Sequence, residues 1–120
     1  MQEFIKNIVP SEMNNMRIEI DEFIELYNEG KCELVDVRVP METKVWQLNF
    51  GLKIPTTELA GRLDELPKNK LIVLACPKAD RSNMARTWLA MQGFDVKYLS
   101  GGLLGLMDTL KGGMAKKLKI

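Results

Sequence analysis

The 120-residue sequence contains no histidine. That absence removes Cys-His and Ser-His-Asp nucleophile systems together with every histidine-ligated metal centre. Cysteine is scarce as well. Cys32 and Cys76 are the only two, too few for a disulfide framework and, without histidine, too few for a usual structural zinc site. No metal and no cofactor are therefore expected, and any nucleophile must be activated by something other than imidazole. Charge of one sign is lacking too: 17 basic against 16 acidic side chains leave a net +1, which gives no electrostatic footprint for nucleic acid. Long apolar runs are missing. The segment from Met1 to Met13 is interrupted by Glu3, Lys6, Asn7 and Pro10, so neither a secretory leader nor a membrane partner is expected, and a cytoplasmic location is the default expectation.

What is present suits one globular domain. Hydrophobic residues make up 46% of the chain and charged residues 28%, enough apolar side chains for a single core under a charged surface. Residues 1–15 read weakly, with Phe4, Ile5, Ile8 and Val9 at helical spacing until Pro10 cuts the pattern. Met16–Ile20 alternates as a short strand, and Asp21 is placed to cap a helix carrying Phe23, Ile24 and Tyr27 that Gly30 ends. Leu34–Val37 reads as a strand, 40–50 as a long irregular stretch, Gly51–Pro55 as a strand with its exit, and a helix opened by Thr56 or Thr57 carries Leu59, Leu63 and Leu66 until Pro67 stops it. Leu71–Ala75 is the strongest strand, apolar on both faces as a central parallel strand should be. A helix from about Arg81 to Gln92, a strand at Val96–Leu99 and a helix at Leu103–Leu110 follow. Strands alternating with helices predict an α/β fold, an open parallel sheet of about five strands with helices on both faces. The expected organisation is an N-terminal extension over 1–15, a domain over 16–110, and a loose basic tail over 111–120 whose Lys116, Lys117 and Lys119 are solvated.

In open α/β sheets chemistry sits beyond the carboxyl ends of the strands. Cys76 stands there, between the strongest strand and a helix start, in the segment Cys76-Pro77-Lys78-Ala79-Asp80-Arg81-Ser82. A loop that curls from a strand into a helix can aim several backbone N–H groups at one anion, and the helix dipole adds positive potential. Both favour a thiolate. Arg81 and Lys78 add positive charge, whereas Asp80 opposes it unless it caps the helix and points away. The plain alternative for Cys76 is a buried, inert thiol, which is what most cysteines are. Cys32 lies outside every motif and reads as a packing residue, ahead of its strand; Trp46 and Trp88 read as core or rim side chains.

Four segments in order resemble the rhodanese-like family over roughly residues 16–110. Leu34-Val35-Asp36-Val37-Arg38 with Pro40 and Glu42 is similar to the family's Leu-Val-Asp-Val-Arg-x-Pro-x-Glu stretch. Ile54-Pro55 with Glu58-Leu59 and Arg62-Leu63 is similar to the segment after its third strand. Cys76 to Ser82 resembles the active loop Cys-x-x-Gly-x-Arg-Ser, and Gly93-Phe94 through Leu99-Ser100-Gly101-Gly102 the closing segment. The chain departs from the pattern in three places. Trp46-Gln47-Leu48 replaces Gly-His-Ile, Ala79 replaces the loop glycine, and Leu103 replaces a tryptophan after the Gly-Gly.

The resemblance implies a sulfurtransferase or sulfur carrier. The Cys76 thiolate would accept a sulfane sulfur from a small sulfur-containing anion such as thiosulfate, or from polysulfide, and hold it as a persulfide. A thiol, cyanide or a sulfur-accepting protein would then take it. Lys78, Ala79, Asp80, Arg81 and Ser82 would form the substrate-binding loop, with Asp36 and Arg38 supporting it structurally. Pro77 removes one N–H from that loop. An alanine at position 79 is expected to be strained if the loop needs a positive φ there, and so to slow turnover. Two rivals remain. Phosphatases and arsenate reductases of a related fold use a Cys-x5-Arg loop, but only four residues separate Cys76 from Arg81, a smaller ring that suits one sulfur better than a tetrahedral oxyanion. The other rival is a non-catalytic rhodanese-fold binding or regulatory module.

Overall fold

The computed structural model describes residues 2–6 and 8–120, so Met1 and Asn7, and with them part of the expected 1–15 extension, lie outside the described residues. Five strands form one parallel sheet: β1 (Arg17–Ile18), β2 (Cys32–Asp36), β3 (Leu52–Lys53), β4 (Leu71–Ala75) and β5 (Val96–Leu99), in the spatial order β1-β5-β4-β2-β3. β4 is central, as its two-sided apolar run predicts. Asp36 pairs with Ala75 at the carboxyl end of the β2–β4 ladder.

The alternation of strand side chains divides the core in two. Val73 and Ala75 join Cys32, Leu34, Ile18 and Leu99 on one face, under α3 (Ile20–Asn28) and α7 (Gly102–Leu110). Ile72, Leu74 and Cys76 join Val35, Val37 and Ile54 on the other, under α5 (Thr56–Leu59) and α6 (Asp80–Met91). Helices therefore cover both faces, and the two cysteines sit on opposite ones.

Several expectations need correction. The stretch after Arg38 is not irregular throughout: Pro40–Val45 forms α4, with Pro40 at its first position, where a missing N–H costs nothing. The helix expected over Thr56–Leu66 is only α5, followed by a 3₁₀ turn at Leu63–Glu65; Ala60 and Gly61 lie between them, and glycine is a poor helix former. α3 begins one residue before Asp21, which sits in its first turn and does not cap it, and α6 likewise begins at Asp80. Cys32 lies within β2, not ahead of it. In the N-terminal segment α1 (Gln2–Lys6) stops before Ile8 and Val9, and Pro10 opens α2 (Pro10–Asn15) where it was expected to close a helical pattern.

The expected loose tail is docked. After a 3₁₀ turn at Gly112–Lys117, Leu118 is buried with the α3–α7 face, a burial worth about 1.5–3 kcal/mol for a leucine. Asn28 clasps the same segment, its amide donating to the Lys117 carbonyl at 2.8 Å and its side-chain oxygen accepting the Lys119 N–H at 2.8 Å. The three lysines are exposed, as expected.

Candidate functional site

β4 carries Cys76 out of the sheet centre onto the α6 face. The backbone of the turn is held from behind by α7. The Leu103 N–H donates to the Cys76 carbonyl at 2.8 Å, and the Leu104 N–H donates to the Pro77 carbonyl at 3.2 Å. These are early, otherwise unpaired donors of α7, and they draw the two carbonyls towards α7. The approach depends on Gly102. Its φ is +64°, and an added Cβ would come within 1.9 Å of the Lys78 carbonyl oxygen, so no other residue fits.

The Cys76 sulfur is completely shielded from solvent and faces the first turn of α6. The Ser82 N–H donates to Sγ at 3.4 Å, and the thiol reaches Ser82 Oγ at 3.4 Å and Asp80 Oδ1 at 3.7 Å. Ser82 Oγ donates its own proton to the Ala79 carbonyl at 3.1 Å, which leaves its lone pairs free for the thiol. One thiol proton thus has two acceptors. In the ionised form the sulfur keeps the Ser82 N–H and lies beside the positive end of α6.

Asp80 does not point away. Its carboxyl is held below the ordinary aspartate value chiefly by the backbone N–H of Arg81, then by its own N–H, with a further contribution from the Cys76 thiol. It is therefore a carboxylate at neutral pH.

The loop residues otherwise differ in how close they come to the sulfur. Ala79 is the residue before α6 and has φ −149°. No residue other than glycine has a positive φ among the described residues, so the strain expected at Ala79 is absent; the loop reaches its turn without a left-handed residue there. Lys78 is exposed and has no ion-pair partner among the described residues. The Arg81 guanidinium is bound by both oxygens of Glu42 on α4, at 2.6 and 2.8 Å. That pairing holds the Glu42 carboxyl down to about 2, the Arg81 hydrogen bond being the largest cause. Glu42 also accepts the Val39 N–H at 3.2 Å, so it anchors the start of α4 and the loop arginine together. Arg81 lies on the wall of an apolar cleft of about 420 Å³ formed by Thr56, Leu59, Ala60, Met84, Ala85 and Trp88.

Asp36 and Arg38 form a separate unit beneath the strand ends. Arg38 Nη2 donates to Asp36 Oδ2 at 2.7 Å, its Nε lies 3.0 and 3.1 Å from the two carboxylate oxygens, and its backbone N–H donates to Oδ1 at 3.0 Å. Both residues are buried, and the guanidinium lies over the Trp46 ring, 4.1 Å from its centroid. Trp88 is a rim residue, one-third exposed. Cys32 is buried on the far face, where burial pushes its thiol up to about 12 and leaves it unreactive. Sequence reasoning missed the anchoring role of Glu42, although Pro40-x-Glu42 signals a helix start, and it missed the brace at Gly102, for which Gly101-Gly102 was the available sign.

The comparisons with known proteins agree with this architecture. The profile of the Rhodanese-like domain family matches residues 19–108. The chain belongs to the rhodanese-like family. It is 33% identical over 72 residues to a protein named sulfurtransferase from Allochromatium vinosum, covering 59% of this chain and 67% of that one. Among solved structures it resembles reduced Bacillus anthracis CoADR-RHD, with TM-score 0.69 and 31% identity over 78% of this chain; the match spans only 17% of that larger protein. It also resembles a Staphylococcus aureus rhodanese-like domain protein, with TM-score 0.68, 26% identity, and coverage of 75% of this chain and 89% of the other. A Lactobacillus plantarum protein superposes with TM-score 0.72 over 91% of this chain and 95% of its own, at 23% identity, which supports the fold alone. No helix among the described residues is long and apolar enough to cross a membrane, and among them no three His, Cys, Asp or Glu side chains gather into a group that could hold a metal ion.

Proposed function

We propose that the chain is a sulfurtransferase in which Cys76 receives a sulfane sulfur as a persulfide and passes it to a thiol, cyanide or a partner protein. One observation carries the reading: a sulfur at the carboxyl end of the central strand, met by the backbone N–H and hydroxyl of Ser82 at the start of α6. In the reaction the Cys76 thiolate attacks the outer sulfur of the donor, the bond from that sulfur to the rest of the donor breaks, and the leaving group departs with the electron pair. With thiosulfate the products are the Cys76 persulfide anion and sulfite. An acceptor thiolate then attacks the outer sulfur and regenerates Cys76. The Ser82 N–H and the positive end of α6 stabilise the negative charge on the terminal sulfur, the use to which preorganised backbone donors are best suited.

The test is mass spectrometry of the intact protein after incubation with a sulfane donor. A gain of one sulfur is expected in the parent protein and in Cys32→Ser, and no gain in Cys76→Ser. Loading that persists in Cys76→Ser overturns the assignment. Aryl phosphate hydrolysis and arsenate reduction are expected to be negligible beside it, because four residues separate Cys76 from Arg81. A second reading, a non-catalytic sulfur-binding or regulatory module, is favoured by the complete burial of Cys76 and by the engagement of Arg81 with Glu42. Stoichiometric loading without turnover to cyanide or thiols would select it.

A further inference from the structure

We infer that Asp80 acts as a charge filter on the sulfur-accepting loop, directing Cys76 towards donors that carry one negative charge on an apolar body and away from small dianions such as thiosulfate. The inference rests on the sulfur-accepting reading above and names its donor class.

Three observations converge. First, a carboxylate oxygen of Asp80 lies 3.7 Å from the Cys76 sulfur, so an anionic donor brought to the sulfur enters the field of a fixed negative charge. The Asp80 carboxyl is held below the ordinary aspartate value, so the charge is present at neutral pH. Second, the cation expected to offset this charge is already occupied, since Arg81 gives both of its terminal nitrogens to Glu42. Lys78 is the loop's remaining cation, exposed and without an ion-pair partner among the described residues. Third, Arg81 belongs both to the loop and to the wall of the apolar cleft lined by Leu59, Met84, Ala85 and Trp88. A hydrocarbon body reaching from the loop past Arg81 would have that surface to cover, whereas thiosulfate has none to offer.

Benzenethiosulfonate isolates the effect because it presents the same outer sulfur with one charge fewer. The Cys76 thiolate attacks that sulfur, the bond from it to the sulfonyl sulfur breaks, and benzenesulfinate leaves with the electron pair, giving the same Cys76 persulfide anion. The two donors thus differ in charge and in apolar surface and not in the product on the protein.

The experiment compares kcat/KM for benzenethiosulfonate and thiosulfate, with cyanide as acceptor, in the parent protein, Asp80→Asn and Trp88→Ala. A fixed charge within about 4–6 Å changes an ionic equilibrium by one power of ten or more, so Asp80→Asn is expected to lower the thiosulfonate-to-thiosulfate ratio about tenfold, mainly by raising the thiosulfate value. Trp88→Ala is expected to lower the ratio by reducing the thiosulfonate value alone. An unchanged or higher ratio in Asp80→Asn overturns the charge filter, and an unchanged ratio in Trp88→Ala overturns the apolar contact. Alkylation of Cys76, read by peptide mass, supplies a measure free of sulfur transfer: the rate with neutral iodoacetamide relative to anionic iodoacetate should fall about tenfold in Asp80→Asn. If neither sulfur donor loads Cys76 while this alkylation ratio falls, the sulfurtransferase reading fails and the charge filter stands. If the alkylation ratio does not fall, the filter fails whatever the donors do.

Discussion

Two arginine–carboxylate pairs flank the end of this sheet, and they are built on opposite principles. Arg38 and Asp36 are buried, close their hydrogen bonds on each other within three residues of chain, and are roofed by Trp46. Arg81 and Glu42 join α6 to α4 across 39 residues of sequence and are each about one-third exposed. Burial makes the first pair a structural unit whose halves cannot be separated cheaply. Exposure leaves the second with little weight in stability, but it fixes where Arg81 holds its charge beside the Cys76 loop. The difference shows why an arginine near a candidate nucleophile need not be a free cation waiting for substrate.

The largest effect is expected from Arg38→Ala. It leaves the Asp36 carboxylate buried without a partner, and the expected loss is about 3–5 kcal/mol, read by urea or thermal unfolding. A loss below 1 kcal/mol would place the two pairs in the same class. Gly102→Ala comes next. The positive φ alone costs an alanine about 1–2 kcal/mol, and the added Cβ collides with the Lys78 carbonyl, so sulfur loading of Cys76 should fall along with stability as the loop is pushed off α7. Retained loading at parental rate would show that the brace does not shape the loop.

Glu42→Gln should cost less, up to about 1 kcal/mol, as for exposed ion pairs. The sign with pH follows from the lowered carboxyl. Glu42 contributes its stabilisation above its unfolded value near 4.5 and loses it as the pH falls through about 2. Acid unfolding of the parent and of Glu42→Gln should therefore converge below about pH 2 and separate above about pH 4.5. Curves that stay parallel across that range would remove Glu42 from the acid transition. The smallest effect is expected at Ala79→Gly. With φ at −149° the alanine carries no left-handed strain, so glycine should cost about 0.4–1 kcal/mol through the unfolded chain and bring no gain in thiosulfate rate. A faster thiosulfate reaction in Ala79→Gly would restore the strain explanation that the backbone angle contradicts.

Sequence alone settled the parallel α/β sheet, the centrality of Leu71–Ala75 and the position of Cys76, because a two-sided apolar run followed by a helix start is a local pattern with one good structural solution. The lack of histidine was equally decisive, since it excluded whole classes of chemistry without any geometry. Tertiary structure decided the rest, and each case turns on a contact between residues far apart in the chain or on a backbone angle that composition does not reveal. Ala79 looked strained until its φ was known. Leu118 looked like part of a tail until it met the core, and Asn28 clasps its neighbours from 89 and 91 residues away. Arg81 carries the same charge in either description, but only the folded chain brings Glu42 to it and leaves Asp80, four residues from Cys76, as the charge that faces the sulfur. Periodicity reports which face of an element is buried. It does not report which distant side chain is waiting there, and that is what assigned each charge in this site its partner.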